Sequence, residues 1–187
     1  MEMKGGMDVY DTMVSPLAKI NIDLAEWNPF IKNNWFREHF MKFVYLLQII
    51  ILLMPNFFYI GFGSLNIFTL FLLGILILIP HELLHIIVIN KKGNISLTFR
   101  GVFFWLHTDA ILSKTRFWIF MSFPLIVLSV VPALFSFLAS GNIKSTLLII
   151  SWINLLISAA DIINSFLIAI KPKNSIFYRG YYRVEKN

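Results

Sequence analysis

Residues Ile75 to Asn90 read ILILIPHELLHIIVIN. Two histidines and a glutamate interrupt an otherwise apolar run, and the reading of that run decides the fold. An ionisable side chain at the centre of a membrane helix costs roughly 3 kcal/mol on insertion scales, so such residues are rare there and mark function. The run belongs to a longer apolar stretch, Ile67 to Ile89. At about 1.5 Å per residue, that stretch can cross a hydrocarbon core of about 30 Å.

The surrounding sequence supports a membrane setting. Of 187 residues, 58% are hydrophobic and 14% charged, with mean hydropathy +0.75. A soluble domain of this size needs more polar surface. Three more apolar blocks stand out: Phe43 to Gly63, with Pro55 as a kink or early stop; Phe117 to Ala139, with Pro124 and Pro132 inside; and a block bounded by Lys144 and Lys171. "GFGSLN" reads as a turn after the first. Between the second and third, Ile95, Leu97 and Phe99 alternate with Ser96, Thr98 and Arg100, and Gly101 precedes "VFFWLH". That alternation predicts a short β-hairpin. The expected fold is an α-helical polytopic membrane protein with about four transmembrane helices and this hairpin between the second and third. Residues 1–42 are expected to form a cytosolic or interfacial segment, with "NPFIKNNWFREHF" (Asn28 to Phe40) as a helix or loop at headgroup level. Residues 43–170 form the membrane-embedded domain, and residues 171–187 a cytosolic basic, aromatic tail.

Cysteine is absent, so no disulfide framework exists and a metal site must use His, Asp or Glu. The first forty residues hold no apolar core of a signal peptide, so none is expected. The net charge of +6 reports topology here and implies no nucleic-acid partner. Fifteen of the sixteen Lys and Arg residues precede the first span, separate the second from the third, or follow the fourth; only Lys144 lies elsewhere. Both termini are therefore expected in the cytosol.

His81-Glu82-Leu83-Leu84-His85 is an HExxH pattern. Residues i and i+4 lie one above the other on a helix face, so His81 and His85 can bind one zinc ion. Glu82 stands one position round the helix, placed to act on a water without being a ligand. A catalytic zinc takes three protein ligands and keeps one open position. His39 and His107, the other histidines, lie outside the spans, and Asp161 is the one remaining acid within a span. His81 lies 15 residues past Asn66 and Asp161 lies 16 past Ser145. Two straight parallel helices would put both about 22–24 Å from the outer face. Zinc, two carboxylates and two neutral imidazoles sum to zero charge. A zinc site contributing about 10 kcal/mol outweighs the cost of the buried carboxylates.

Ser151, Asn154, Ser158, Asp161 and Ser165 form one helical stripe. It is read as lining the site or as small-polar helix packing. Asn154 is a candidate to hold a substrate carbonyl, and His107 a candidate to stabilise an oxyanion.

"PHELLH" on a membrane span, the hairpin-like segment, "FPLIVL" and "NLLISAADII" together resemble the site-2 protease class of intramembrane zinc metalloproteases, and the small zincin peptidase family related to it. The resemblance covers Ile67 to Ile170. It implies His81, His85 and Asp161 as zinc ligands, Glu82 as general base, and a membrane protein or peptide as substrate within the lipid bilayer. The site-2 pattern carries a proline within its last motif and a glycine after the aspartate, where this chain has Ile157 and Ile162 nearby. The backbone around Asp161 is therefore expected to differ. The expected function is zinc-dependent endopeptidase action in or near the membrane. The alternative is a zinc-binding membrane protein that does not cleave, with an immunity, chaperone or sensor role. A transporter would show inverted repeats, and none is visible. The pattern sets no oligomeric state.

Overall fold

The computed structural model describes residues 26–58, 66–89, 95–100, 103–108 and 110–185, with backbone alone at 57–58, 95–100 and 103–108. The chain order is β1 (Asn28–Pro29), α1 (Asn34–Phe58), α2 (Ile67–Ile89), β2 (Ile95–Arg100), β3 (Phe103–Thr108), β4 (Leu112–Ser113), α3 (Lys114–Leu125), a π-helical turn (Ile126–Val130), α4 (Val131–Ser136), α5 (Gly141–Ile157), α6 (Ala159–Ala169), β5 (Ser175–Tyr178) and β6 (Tyr181–Val184).

Among the described residues, three helical stretches are long and apolar enough to cross a membrane: Asn34–Asn56, Ile67–Ile89 and Lys114–Ser136. The pair α5 and α6, bent by 66°, makes a fourth if it counts as one span. Large apolar side chains cover the outside of these helices, among them Leu46, Ile50, Phe68, Phe71, Leu76, Leu134 and Phe135. A continuous apolar exterior of this kind suits lipid and not water, consistent with an integral membrane protein.

The inner faces pack around Val44 and Ile51 of α1, Ile77 of α2, Ile149, Trp152 and Ile153 of α5, and Ala159 of α6. A polar contact fixes this core. Pro55 has no N–H, so the Ile51 carbonyl lacks its regular helical donor. The Trp152 indole N–H from α5 donates to that carbonyl at 2.8 Å.

The predicted hairpin is present, with β2 antiparallel to β3 from Ile95↔Thr108 to Arg100↔Phe103. Several expectations are revised. The first span starts at Asn34 and not at Phe43, because Asn33 Oδ1 accepts the Phe36 N–H and caps the helix. The second half of the interfacial segment is thus its first turns, and Pro55 does not stop the span early, since the helix runs on to Phe58. The expected turn Gly61–Asn66 lies outside the described residues except for Asn66, which caps α2 through the Thr69 N–H. The third span is not a plain α-helix: its middle turn is π-helical, with the Val131 N–H reaching the Ile126 carbonyl next to Pro132, which has no N–H to offer. The fourth span is not straight, for Ser158 adopts φ −78° and ψ 7° between α5 and α6.

The segment after Ile170, expected as a tail, enters a four-stranded antiparallel sheet in the order β1-β6-β5-β4. Arg179 and Gly180, both at positive φ (41° and 78°), form the two-residue loop between β5 and β6, the conformation that matches strand twist in tight hairpins. The sheet docks on the helix ends through Phe30, Phe117 and Phe177. Lys114, at the start of α3, donates to the carbonyls of Ala169 (2.8 Å) and Lys171, satisfying acceptors at the end of α6. This contact ties α3 to α6, the two elements that flank the histidines.

Candidate metal centre

His81 and His85 are both buried on one face of α2, with Ile77 and Ile89 one turn to either side. Asp161 stands in the first turn of α6. The three come together: Asp161 Oδ2 lies 3.1 Å from His81 Nε2 and 3.4 Å from His85 Nε2, and the two Nε2 atoms are 3.2 Å apart. Among the described residues they form the one cluster of His, Asp and Glu placed to hold a metal ion.

The other ring nitrogens fix what these atoms are. His85 Nδ1 lies 2.6 Å from the Phe120 carbonyl, an acceptor only, so Nδ1 carries the proton. His81 Nδ1 lies 2.9 Å from Asn154 Oδ1. The Asn154 amide cannot be turned round, because its Nδ2 donates to the Pro124 carbonyl (3.2 Å) and to the hydroxyls of Ser129 (2.8 Å) and Ser158 (3.3 Å). His81 Nδ1 is therefore the donor as well. When the rings are neutral, as zinc ligation requires, their bare Nε2 lone pairs face each other and a carboxylate oxygen. Three lone pairs at this separation repel, and one proton can serve only one pair of them. A cation at the centre satisfies all three. Ligand bonds of about 2.0–2.1 Å arranged tetrahedrally give edges of about 3.3 Å, and the triangle here has edges of 3.1, 3.2 and 3.4 Å. The donor set fits zinc in chemistry and in size.

Glu82 is half-buried, within electrostatic reach of His81, His85 and Asp161. No hydrogen bond or ion pair engages its carboxylate among the described residues. Asn154 does a different job from the one expected of it. It is fully buried, and its oxygen and nitrogen are spent on His81 and on the helix beside it, so it has nothing left for a substrate carbonyl. His107 pairs with Ser96 in the hairpin backbone, and its side chain lies outside the described residues. His39 stacks on Trp35 in α1 and takes no part in the cluster. The stripe on the last span divides by role. Ser158 braces Asn154, and Ser151 donates to the Ser129 carbonyl at 2.8 Å. Among the described residues, buried Ser165 has no hydrogen-bond partner. Sequence reasoning did not find Phe120, since a carbonyl that orients a ring has no side-chain signature.

Asn154→Leu should be informative because the shape is nearly kept. It leaves the His81 N–H and the Ser129 hydroxyl unpaired, at a cost of about 1–3 kcal/mol in thermal unfolding. Zinc affinity should fall about 10- to 100-fold in a competition titration, as on losing an outer-shell partner.

The family described as "Putative zincin peptidase" matches the chain over residues 74–176, more than half of its length. The matched stretch contains His81, Glu82, His85, Asn154 and Asp161. No curated protein and no solved structure matches the chain.

Proposed function

Because the chain belongs to the zincin peptidase family, we propose that it is a membrane-embedded zinc endopeptidase, site-2 protease-like, that hydrolyses peptide bonds in or near the bilayer. The observation that carries this reading is the convergence of three potential ligand atoms, His81 Nε2, His85 Nε2 and Asp161 Oδ2, inside a bundle whose exterior is apolar.

Those three residues would hold the ion. Zinc bound there would polarise a peptide carbonyl and make a water easier to deprotonate. Glu82, free of structural bonds, takes a proton from the attacking water, whose oxygen forms the new C–O bond. It returns that proton to the amine nitrogen as the C–N bond breaks, leaving a carboxylic acid, which keeps the water's second proton, and a free amine. Asn154 and the Phe120 carbonyl hold the rings still while this happens. A substrate helix satisfies its own backbone hydrogen bonds in lipid, so a stretch of it must unwind before its carbonyl can reach the site. The test is hydrolysis of a membrane-reconstituted peptide library by zinc-loaded protein. Zinc-loaded wild type that cleaves nothing, in cells or in vesicles, would leave the non-cleaving zinc-binding reading in its place.

The distribution of Lys and Arg assigns the orientation. Tags at either terminus and at Gly93 should be accessible from the cytosol, and a tag at Gly141 only from outside. Accessibility labelling in intact cells checks this, and a cytosolic Gly141 would refute the four-span arrangement.

A further inference from the structure

Pro124 stands on α3, buried and without any side-chain chemistry of its own. It nevertheless touches both histidines at one remove. In an α-helix the carbonyl of residue i receives the N–H of residue i+4. For Phe120 that residue is Pro124, which has no N–H. The Phe120 carbonyl is thus denied its regular donor and receives the His85 Nδ1–H at 2.6 Å. The Pro124 carbonyl accepts Asn154 Nδ2 at 3.2 Å, and Asn154 Oδ1 accepts from His81. The same device occurs at Pro55, where the Ile51 carbonyl is left to the Trp152 indole. There the donor is a core residue and the result is packing alone. Within a membrane a carbonyl left without its helical donor is costly unless another donor reaches it, and α3 offers the Phe120 carbonyl to the metal-site helix.

We propose that Pro124 is the positioning residue for both metal-site histidines: its missing N–H releases the Phe120 carbonyl to orient His85, and its own carbonyl anchors the amide that orients His81. The proposal rests on reading the triad as a zinc site, but part of it is testable without metal. In wild-type protein stripped of metal, ¹⁵N NMR should find His85 protonated on Nδ1; an Nε2-protonated ring would overturn the proposal whether or not zinc binds.

The second measurement uses variants at position 124. Pro124→Ala restores an N–H that competes for the Phe120 carbonyl. Zinc affinity should fall about 10- to 100-fold, as expected for loss of an outer-shell partner. Lactic acid at position 124, introduced through a backbone ester, has the alanine side chain but no N–H, and should restore most of the affinity. Pro55→Ala makes the same chemical change away from the triad and should leave zinc affinity at the wild-type level. An ester variant as weak as Pro124→Ala would show that shape, not the N–H, is responsible, and would overturn the proposal, as would wild-type affinity in Pro124→Ala. Failure of the wild type itself to bind zinc would refute the proposed function, a result separate from the NMR outcome.

Discussion

Glu82→Gln should bind zinc as the wild type does and hydrolyse peptide at least about 10²-fold more slowly, the usual scale of losing a general base. Among the described residues its carboxylate makes no hydrogen bond or ion pair, so removing the charge breaks none there. Gln keeps the size and a polar end but takes no proton at neutral pH. Folding, thermal stability and zinc stoichiometry should therefore stay level while turnover collapses. The comparison is metal content and substrate processing measured on the same preparation. Full function in zinc-loaded Glu82→Gln would end the peptidase reading and favour a binding role.

Asp161→Ala should give the opposite metal signature. It removes one of three ligand atoms and leaves His81 Nε2 and His85 Nε2 facing each other at 3.2 Å with no anion between them. Zinc affinity should fall by more than the roughly 10- to 100-fold typical of outer-shell losses, and activity should fall with it. A bound metal stabilises the folded state by about RT ln(1 + [L]/Kd). Added zinc should thus raise the unfolding temperature of the wild type and of Glu82→Gln, but hardly that of Asp161→Ala. Equal zinc protection in all three proteins would remove Asp161 from the ligand set.

The parts of this molecule that could be read from sequence are those set by local periodicity. Helical spacing put His81 and His85 on one face, and alternation from Ile95 to Arg100 marked a strand. Asp161 was found for a different reason, since an acid in a span is costly enough to need a partner. The C-terminal sheet gave no such signal. Its partners, Asn28–Pro29 and Leu112–Ser113, are two residues long and far away in the chain, too short to show a period. The break at Ser158 was also hidden, because neither Gly nor Pro stands there. Asn154 was noticed for its polarity yet given the wrong task, since its neighbours Ser129 and Pro124 come from another helix. The cue for Phe120 was present all along as a proline four residues later.

In the peptidase function proposed above, the 66° bend between α5 and α6 bears on how the reaction would obtain its water. With α5 along the bilayer normal, its 17 residues rise about 25 Å. The eight residues of α6 beyond Asp161 would rise a further 12 Å or so if the helix were straight, but inclined at 66° they rise only about 5 Å. Measured along α5, the bend leaves Asp161 closer to the level of the end of α6 than a straight helix would. Each hydrolysed bond consumes one water molecule, and a shallow site can draw that molecule from the headgroup layer, with no need for a wet channel through the hydrocarbon.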